Sequence, residues 1–299
     1  MSFLNPVNEP VQRFSSTDVG APQINYNARV AGDVKTVLKG CLVTGYGAKA
    51  SAGWSIVNEV GHVAEFVSPS AAMSDYRLKI DDSSTSNTVW SYFYQSSAVA
   101  LPKGAVAKNF SQMNKTSSEN GWQLLVTDKG LLFVEILVNP YNGKKTARVT
   151  NWGQVKSAAV AELGANIGFW QAGVASSASF PNDFYKSSAE VHYNINGLKT
   201  TTFSSINISG LSSNSSIYGL SSIDLSSELY IYSLQTVIGQ QVGLLVTSVA
   251  LESDLYGVYD EVINGRPVLK VSLARNDARG EYLTPYTSVM NLYLDYWEY

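Results

Sequence analysis

Cysteine and charge are both scarce in this sequence. The chain has one cysteine, Cys41, among 299 residues, so disulfide bonds within the chain cannot hold the fold together. Only 15% of the residues are charged, whereas globular domains average about 25%. The low charge predicts a surface that neighbouring molecules partly cover. The formal net charge of −3 and the lack of a basic stripe argue against nucleic acid as the main ligand.

Side chains that carry chemistry are also few. No cysteine or paired carboxylate stands at metal-ligand spacing from either histidine, His62 or His192. The sequence lacks a glycine-rich phosphate loop, a Gly-x-Ser-x-Gly elbow and a His-Glu-x-x-His motif. Cys41 stands among apolar residues, which predicts a buried and inert thiol. We therefore predict a protein that is not an enzyme, with no catalytic, cofactor-binding or metal-binding residues and no cofactor.

No hydrophobic run is long enough to cross a bilayer. The longest runs, such as residues 131–138 with Glu135 inside, fall far short of the about 20 residues that a membrane helix needs. The first residues lack the basic region and apolar stretch of a secretory signal. These features predict no membrane insertion and synthesis as a soluble protein in the cytoplasm.

Two pairs of neighbouring acidic residues, Asp81-Asp82 and Asp260-Glu261, are the remaining candidates for chemistry. Adjacent residues on a strand point to opposite faces, so neither pair is predicted to form a two-carboxylate site. Asp254 would join Asp260 and Glu261 around a calcium ion only if a loop folded them together. Carboxylates that only the fold brings together leave a glycan-cleaving enzyme open as a minor alternative.

The residues that are abundant favour β-structure. The 18 tyrosines, 23 glycines and many short polar residues suit strands joined by tight turns. Alternating or short apolar runs predict strands at residues 63–68, 76–80, 89–94, 122–126, 131–138, 147–152, 190–195, 200–208, 229–237, 242–251, 267–273 and 289–296. The turn Asp128-Lys129-Gly130 predicts that two of these strands form a hairpin.

One short helix is predicted over about residues 31–43. Apolar residues recur there at the spacing of one helical face, namely Val30, Val34, Val37, Leu38, Cys41 and Leu42. Gly45-Tyr46-Gly47 is expected to end the helix.

The prolines and a Ser/Ala-rich stretch suggest how the chain is divided. Three prolines within residues 1–30 predict an extended arm that docks on a neighbouring subunit, and its removal should leave the β units folded. The Ser/Ala-rich residues 173–188 predict a boundary. The expected fold is therefore mainly β, with sandwich- or barrel-like units: an arm, short helix and first β unit in residues 1–175, and a second β unit in residues 176–299. The aromatic residues 296–299 predict a tail that packs against something.

Several motifs of the first half carry a resemblance. They are Gly20-Ala21-Pro22, Ala31-Gly32, Leu38-x-x-Cys41-Leu42-Val43-x-Gly45-Tyr46-Gly47 and Gly53-Trp54. This pattern resembles a family of virion structural proteins encoded by tailed phages and prophages, and a looser similarity continues to about residue 160. Trp152 and Gln154 stand where a turn of that family has Phe and Asp, and the family's Gly-Pro-Trp-Arg ending is absent.

The resemblance implies a structural component of a tailed-phage virion, located in the neck, tail or baseplate or on the head surface. Such a protein is made in the cytoplasm of the host bacterium and acts in the virion. Its partners would be other virion proteins and copies of itself. A different class of function stays open, because the tyrosines and tryptophans could line a receptor- or carbohydrate-binding β module that recognises a host glycan. Core packing and subunit contacts use the same residues, and we favour them.

Overall fold

The chain is mainly β, as predicted. The computed structural model describes residues 7–26, 30–84, 88–96, 106–112, 120–138, 145–157, 166–172, 189–195, 198–204, 206–208, 226–227, 229–233, 236–240, 243–250, 257–272 and 286–299. Within these ranges, twenty-two strands form four sheets beside one helix of 12 residues. The first elements are two short strands, β1 (Asn8–Pro10) and β2 (Gln12–Ser15).

The helix lies close to where the sequence predicts it. An α-helix, α1 (Asp33–Lys39), continues as one π-helical turn, Gly40–Thr44. Gly45 ends the helix with a φ of 71°, a conformation that favours glycine. The predicted apolar face is buried except at its first position, Val30, which is exposed; the buried members are Val34, Val37, Leu38, Cys41 and Leu42.

The first five-stranded sheet follows the helix and is antiparallel throughout. Its order is β3-β4-β5-β6-β7, with a 3₁₀ turn, Ala71–Met73, between the second and third strands. The strands are β3 (Ser55–Val60), β4 (Val63–Val67), β5 (Tyr76–Asp81), β6 (Thr88–Gln95) and β7 (Val106–Gln112). Along β5, buried and half-buried residues alternate, so one face of this sheet covers the core while the other meets solvent. The sequence analysis missed β3, because most of its side chains are exposed and its apolar residues do not alternate.

The largest sheet has ten strands and runs through the middle of the molecule. Its path is β13-β12-β11-β10-β17-β16-β14, and β9, β8 and β2 extend it from β10. The new strands are β8 (Gly121–Thr127), β9 (Gly130–Val138), β10 (Lys145–Ser157), β11 (Asn166–Ala172), β12 (Ala189–Ile195), β13 (Leu198–Ser204), β14 (Ile206–Ile208), β16 (Leu229–Ser233) and β17 (Thr236–Gln240). The predicted hairpin is confirmed, because Thr127 lies opposite Gly130 around Asp128 and Lys129.

The second five-stranded sheet comes from the end of the chain. Its order is β15-β18-β21-β20-β19. The strands are β15 (Ser226–Ser227), β18 (Leu244–Ala250), β19 (Val258–Ile263), β20 (Arg266–Ser272) and β21 (Tyr286–Tyr293). The last strand, β22 (Tyr296–Glu298), pairs with β1, and Tyr299 donates from its backbone amide to the carbonyl of Val7 at 3.1 Å. The residues near the two ends of the chain therefore lie side by side.

Two apolar clusters place the central strands between the other layers. Leu124 and Phe133 belong to a cluster that includes the helix and the first five-stranded sheet. Their neighbours Leu125 and Leu132 belong to a second cluster with Trp297 and the C-terminal sheet. Neighbouring residues of a strand point to opposite faces, so both faces of β8 and β9 are buried. This burial explains why their sequences are continuous apolar runs without alternation.

Residues 7–26 differ from the predicted docking arm. Strand β2 pairs with β8, extending the central sheet by one strand. The side chains of Phe14, Ile24 and Tyr26 are buried in the first apolar cluster. The prolines divide the segment into short strands, but its apolar residues supply part of the core. Deleting residues 1–28 is therefore expected to damage the core, contrary to the expectation from sequence.

The predicted division of the chain at residues 173–188 lies outside the described residues, and the two-unit division stays a prediction. The predicted packing of residues 296–299 is confirmed, since Trp297 is buried in the second cluster. That cluster combines Leu125 and Val149 with Leu269 and Met290, which come from both predicted units. The aromatic tail therefore packs against the protein's own core.

Candidate functional site

Among the described side chains, the candidate reactive residues occupy separate places. His62 is exposed in the turn between β3 and β4, beside Gly32. His192 belongs to β12, and its side chain is outside the described part of the structure. Cys41 is buried, as predicted, and burial together with the nearby Asp18 carboxylate raises the pKa of its thiol. The thiol is therefore protonated at neutral pH.

In each acidic pair, the two carboxylates contact different partners. Asp82 is buried and accepts a hydrogen bond from the backbone amide of Lys35 at 3.0 Å, whereas Asp81 accepts one from the amide of Ser83 at 3.1 Å. This separation follows the strand geometry that the sequence predicts.

The second pair is held by two cations. The Asp260 carboxylate accepts hydrogen bonds from the two terminal guanidinium nitrogens of Arg13, at 2.7 and 2.8 Å. Glu261 forms an ion pair with Lys270 at 3.0 Å. Asp254, which would join them only in a calcium-binding loop, lies outside the described residues.

In the part of the chain that the structure describes, no three His, Cys, Asp or Glu side chains are grouped closely enough to hold a metal ion. None of the described helices combines the length and the apolar character needed to cross a membrane.

Three of the four motifs that carry the resemblance converge. The turn at residues 18–22, the end of the helix with its following loop at residues 40–49, and the Gly53-Trp54 step lie against one another. We call these three segments the glycine junction. The backbone amide of Trp54 donates to the carbonyl of Leu42 at 2.9 Å, which ties the third segment to the helix end. The Trp54 indole nitrogen donates to the carbonyl of Thr127 at 3.3 Å, which ties the junction to the central sheet.

Close backbone contact explains the glycines of the junction. A Cβ on Gly47 would lie 2.4 Å from the carbonyl oxygen of Val19, and a Cβ on Gly20 would lie 3.3 Å from the backbone of Gly47. Both glycines also have positive φ, 54° and 79° respectively. A Cβ on Gly40 would lie 3.1 Å from the ring of Pro22. The motif residues are therefore required for close packing of the chain with itself.

Asp18 braces the junction through three hydrogen bonds. Its carboxylate accepts from the hydroxyl of Tyr46 at 2.7 Å, the ammonium of Lys49 at 2.7 Å and the backbone amide of Ser15 at 2.9 Å. Burial alone would raise the pKa of Asp18, but these hydrogen bonds hold it below its ordinary value. Lys49 also lies over the ring of Phe14, 5.4 Å from its centroid. The brace thus connects the two loops of the junction to β2.

The outer end of the junction is apolar and exposed. Val19 is 91% exposed, the largest value among the large hydrophobic residues whose side chains the structure describes. Gly20, Gly47 and Ala48 are exposed beside it. Single exposed apolar residues are common on protein surfaces, so Val19 stands out for its position on a braced double loop and not for its exposure alone. Sequence analysis identified the motifs, but it had no signal for the exposure of Val19.

Replacing Asp18 by Asn should make the pH dependence of stability weaker. A carboxyl group whose folded pKa is depressed stabilises the fold above its unfolded pKa of about 3.9 and loses this contribution as the pH falls through the folded value. We expect Asp18→Asn to lower the free energy of unfolding by about 1 kcal/mol at pH 7, with the difference shrinking below about pH 4. Urea denaturation between pH 7 and pH 3 measures both quantities.

The exposed Asp75 provides the matched control for that series. Asp75→Asn should change the free energy of unfolding at pH 7 by less than about 0.5 kcal/mol, because it alters an exposed side chain. A constant difference between wild type and Asp18→Asn down to pH 3 would show that the Asp18 charge does not contribute.

The tryptophans indicate whether the aromatic residues pack in the core or are exposed for binding. Four of the five tryptophans with described side chains are buried, namely Trp54, Trp122, Trp152 and Trp297. Trp90 differs, because 42% of it is exposed on β6. Core packing therefore accounts for most described tryptophans, and Trp90 is the exception.

Comparison with known proteins gives no match: no protein-family model, no curated protein and no solved structure is significantly similar to this chain.

Proposed function

We propose that this protein is a structural component of a tailed-phage virion, in the neck, tail or baseplate or on the head surface. It acts through contacts with other virion proteins and with copies of itself. The outer end of the glycine junction, centred on Val19, is the contact surface in this proposal. The resemblance of the first half of the chain to virion structural proteins supports the role.

The packing of the motif residues against one another is the observation that carries the proposal. Gly20, Gly40 and Gly47 allow backbone segments to approach within contact distance, and Pro22 fills the space beside one of them. Such packing maintains the shape of the surface that the junction presents, as an assembly protein requires.

Rigidity and composition make the outer end suitable for a subunit contact. The Asp18 brace fixes both loops before binding, so little conformational entropy is lost when a partner docks. The exposed tip carries Val19, Gly20, Gly47 and Ala48 without a charged side chain of its own. The cores of protein interfaces are similarly depleted of charge.

The deciding experiment is to compare particle incorporation of wild type, Val19→Glu and Val262→Glu. Val262 is 67% exposed on β19, away from the junction motifs, and serves as the control. Particles released by the bacterium that carries the gene are purified and their proteins quantified by mass spectrometry. We expect wild type and Val262→Glu in the particles at a fixed copy number and strong depletion of Val19→Glu. Both variants should remain folded, because exposed substitutions usually change stability by less than about 0.5 kcal/mol.

Two results would contradict the proposal in different ways. If the wild-type protein is absent from particles, the virion role is wrong. If Val19→Glu enters particles as well as wild type, the role stands but the contact surface lies elsewhere. Light scattering of the purified proteins adds the solution mass, where a concentration-independent multiple of 32.4 kDa would indicate contacts between copies.

A further inference from the structure

The outer face of the first five-stranded sheet presents two parallel rows of side chains to solvent. Strand pairing places Val60 beside Val63, Val63 beside Asp81, and Asp81 beside Trp90, which forms the first row. The second row contains the residues two positions away on each strand, namely Asn58, Glu65, Lys79 and Tyr92. Neighbouring strands are about 4.8 Å apart, so each row is about 14 Å long.

The two aromatic side chains lie together at one end of these rows. Trp90 and Tyr92 are two residues apart on β6 and point to the same face, with about 7 Å between their Cα atoms. Trp90 is 42% exposed, and its neighbours Val89 and Ser91 are buried because they point to the opposite face of the sheet. The Lys79 ammonium lies over one face of the Tyr92 ring, 5.6 Å from its centroid, which supports the ring and leaves its other face for a ligand. The rings thus form a supported platform open to solvent.

Polar groups complete the face, and their charges balance. Asp81 lies next to Trp90, and Lys79 lies next to Tyr92. Glu65 accepts a hydrogen bond from the Asn58 amide at 3.3 Å. With Arg77, which follows the same alternation on β5, two cations face two carboxylates, and the formal charge of the face is zero. An uncharged ligand with many hydroxyl groups complements this face.

We propose that this outer face is a binding site for a neutral glycan. A sugar ring packs its C–H face on Trp90 and a second ring packs on Tyr92, since the negative face of an aromatic ring attracts polarised C–H groups. The carboxylates of Asp81 and Glu65 accept hydrogen bonds from sugar hydroxyls, and Lys79 donates to hydroxyl oxygens. This site goes beyond the proposed assembly role and lies on a different surface from the glycine junction.

A glycan can form hydrogen bonds with the charged groups of this face, whereas a flat protein surface would bury them. Each aromatic ring has a charged residue directly beside it in the strand register, Asp81 by Trp90 and Lys79 by Tyr92. A protein interface would bury these charges, and desolvated charges destabilise a complex unless each finds a partner of opposite charge. Sugar hydroxyls donate and accept hydrogen bonds, so they replace the lost water at both kinds of charged group.

The test measures glycan binding by the full-length protein and its variants. Maltohexaose, cellohexaose, chitohexaose, xylohexaose and mannohexaose are titrated in turn by isothermal titration calorimetry at millimolar concentrations. We expect the wild type to bind at least one of them. Trp90→Ala should weaken that binding about tenfold or more, and Trp90→Phe, which keeps a ring, should restore much of it. Tyr259→Ala removes an exposed aromatic from the other five-stranded sheet and should leave the affinity unchanged.

Several outcomes would overturn this inference. Failure of all five oligosaccharides to bind, or equal affinity for wild type and Trp90→Ala, would show that the face is not a glycan site. If Trp90→Ala instead lowers the solution mass of the protein, the face is a contact between copies. Particle incorporation of Trp90→Ala separates this inference from the proposed function, because the variant should enter particles normally while losing the glycan.

Discussion

Replacing Gly47 by alanine should lower the free energy of unfolding by about 2–4 kcal/mol. Two effects combine at this position. An alanine at a φ of 54° costs about 1 kcal/mol because its Cβ crowds its own carbonyl. The new Cβ would also lie 2.4 Å from the carbonyl oxygen of Val19, and the backbone shift that relieves such a contact costs about 1–3 kcal/mol. Urea denaturation followed by circular dichroism measures the change.

Gly61 offers a control that separates the two effects. Its φ is 56°, almost the same as that of Gly47, but a Cβ added there has no heavy atom within 4 Å. Gly61→Ala should therefore cost only the conformational part, about 1 kcal/mol. Equal effects of the two substitutions would show that the junction backbone moves apart without cost. In that case the rigidity on which the assembly proposal relies would be absent.

Replacing Trp297 by alanine should lower the free energy of unfolding by about 3–5 kcal/mol. The side chain is 1% exposed and belongs to the second apolar cluster. Its ring covers Gly243 so closely that a Cβ there would lie 2.5 Å from the indole, and its Nε1 donates to the carbonyl of Tyr293 at 3.1 Å. Removing the indole leaves a cavity in this cluster and removes the hydrogen bond to Tyr293.

Trp90→Ala is the matched control, since it removes the same side chain from an exposed position. It should change the free energy of unfolding by less than about 1 kcal/mol. Thermal and urea denaturation of both variants test the comparison. Similar losses at the two positions would contradict the assignment of Trp297 to the core and of Trp90 to an open surface.

Arg266 also stabilises the pairing of β1 with β22. Its guanidinium group binds the Asp295 carboxylate at 2.7 and 2.9 Å and donates to the carbonyl of Tyr296 at 2.7 Å. It also stacks 3.7 Å from the ring centroid of Tyr293. These contacts hold β20 against the turn that precedes β22, so the burial of Trp297 is supported from a neighbouring strand.

Local patterns predicted the helix and many of the strands correctly for a common reason, whereas β7, β11 and β19 were not predicted. The spacing of Val34, Val37 and Leu38 predicts a buried helical face. Two apolar runs around Asp128-Lys129 predict the β8–β9 hairpin. Strand β3 was missed, because an edge strand with mostly exposed side chains carries no apolar periodicity.

The candidate sites were less predictable, because they depend on residues that are distant in sequence. The motifs around Gly20 and Gly47 were recognisable, yet their contact with each other joins segments far apart in the chain. The Trp90 platform arises only when β4, β5 and β6 pair in register.

The sequence by itself determined the β-rich class, the short helix, the hairpin and the burial of Cys41. Each of these follows from local periodicity, turn residues or the polarity of near neighbours. The tertiary structure alone decided that Phe14 and Tyr26 belong to the core, that Trp297 packs against the chain's own core, and that Trp90 is exposed. Burial depends on which distant surfaces cover a side chain, and the free energy of covering an apolar surface does not depend on where along the chain the covering residues lie.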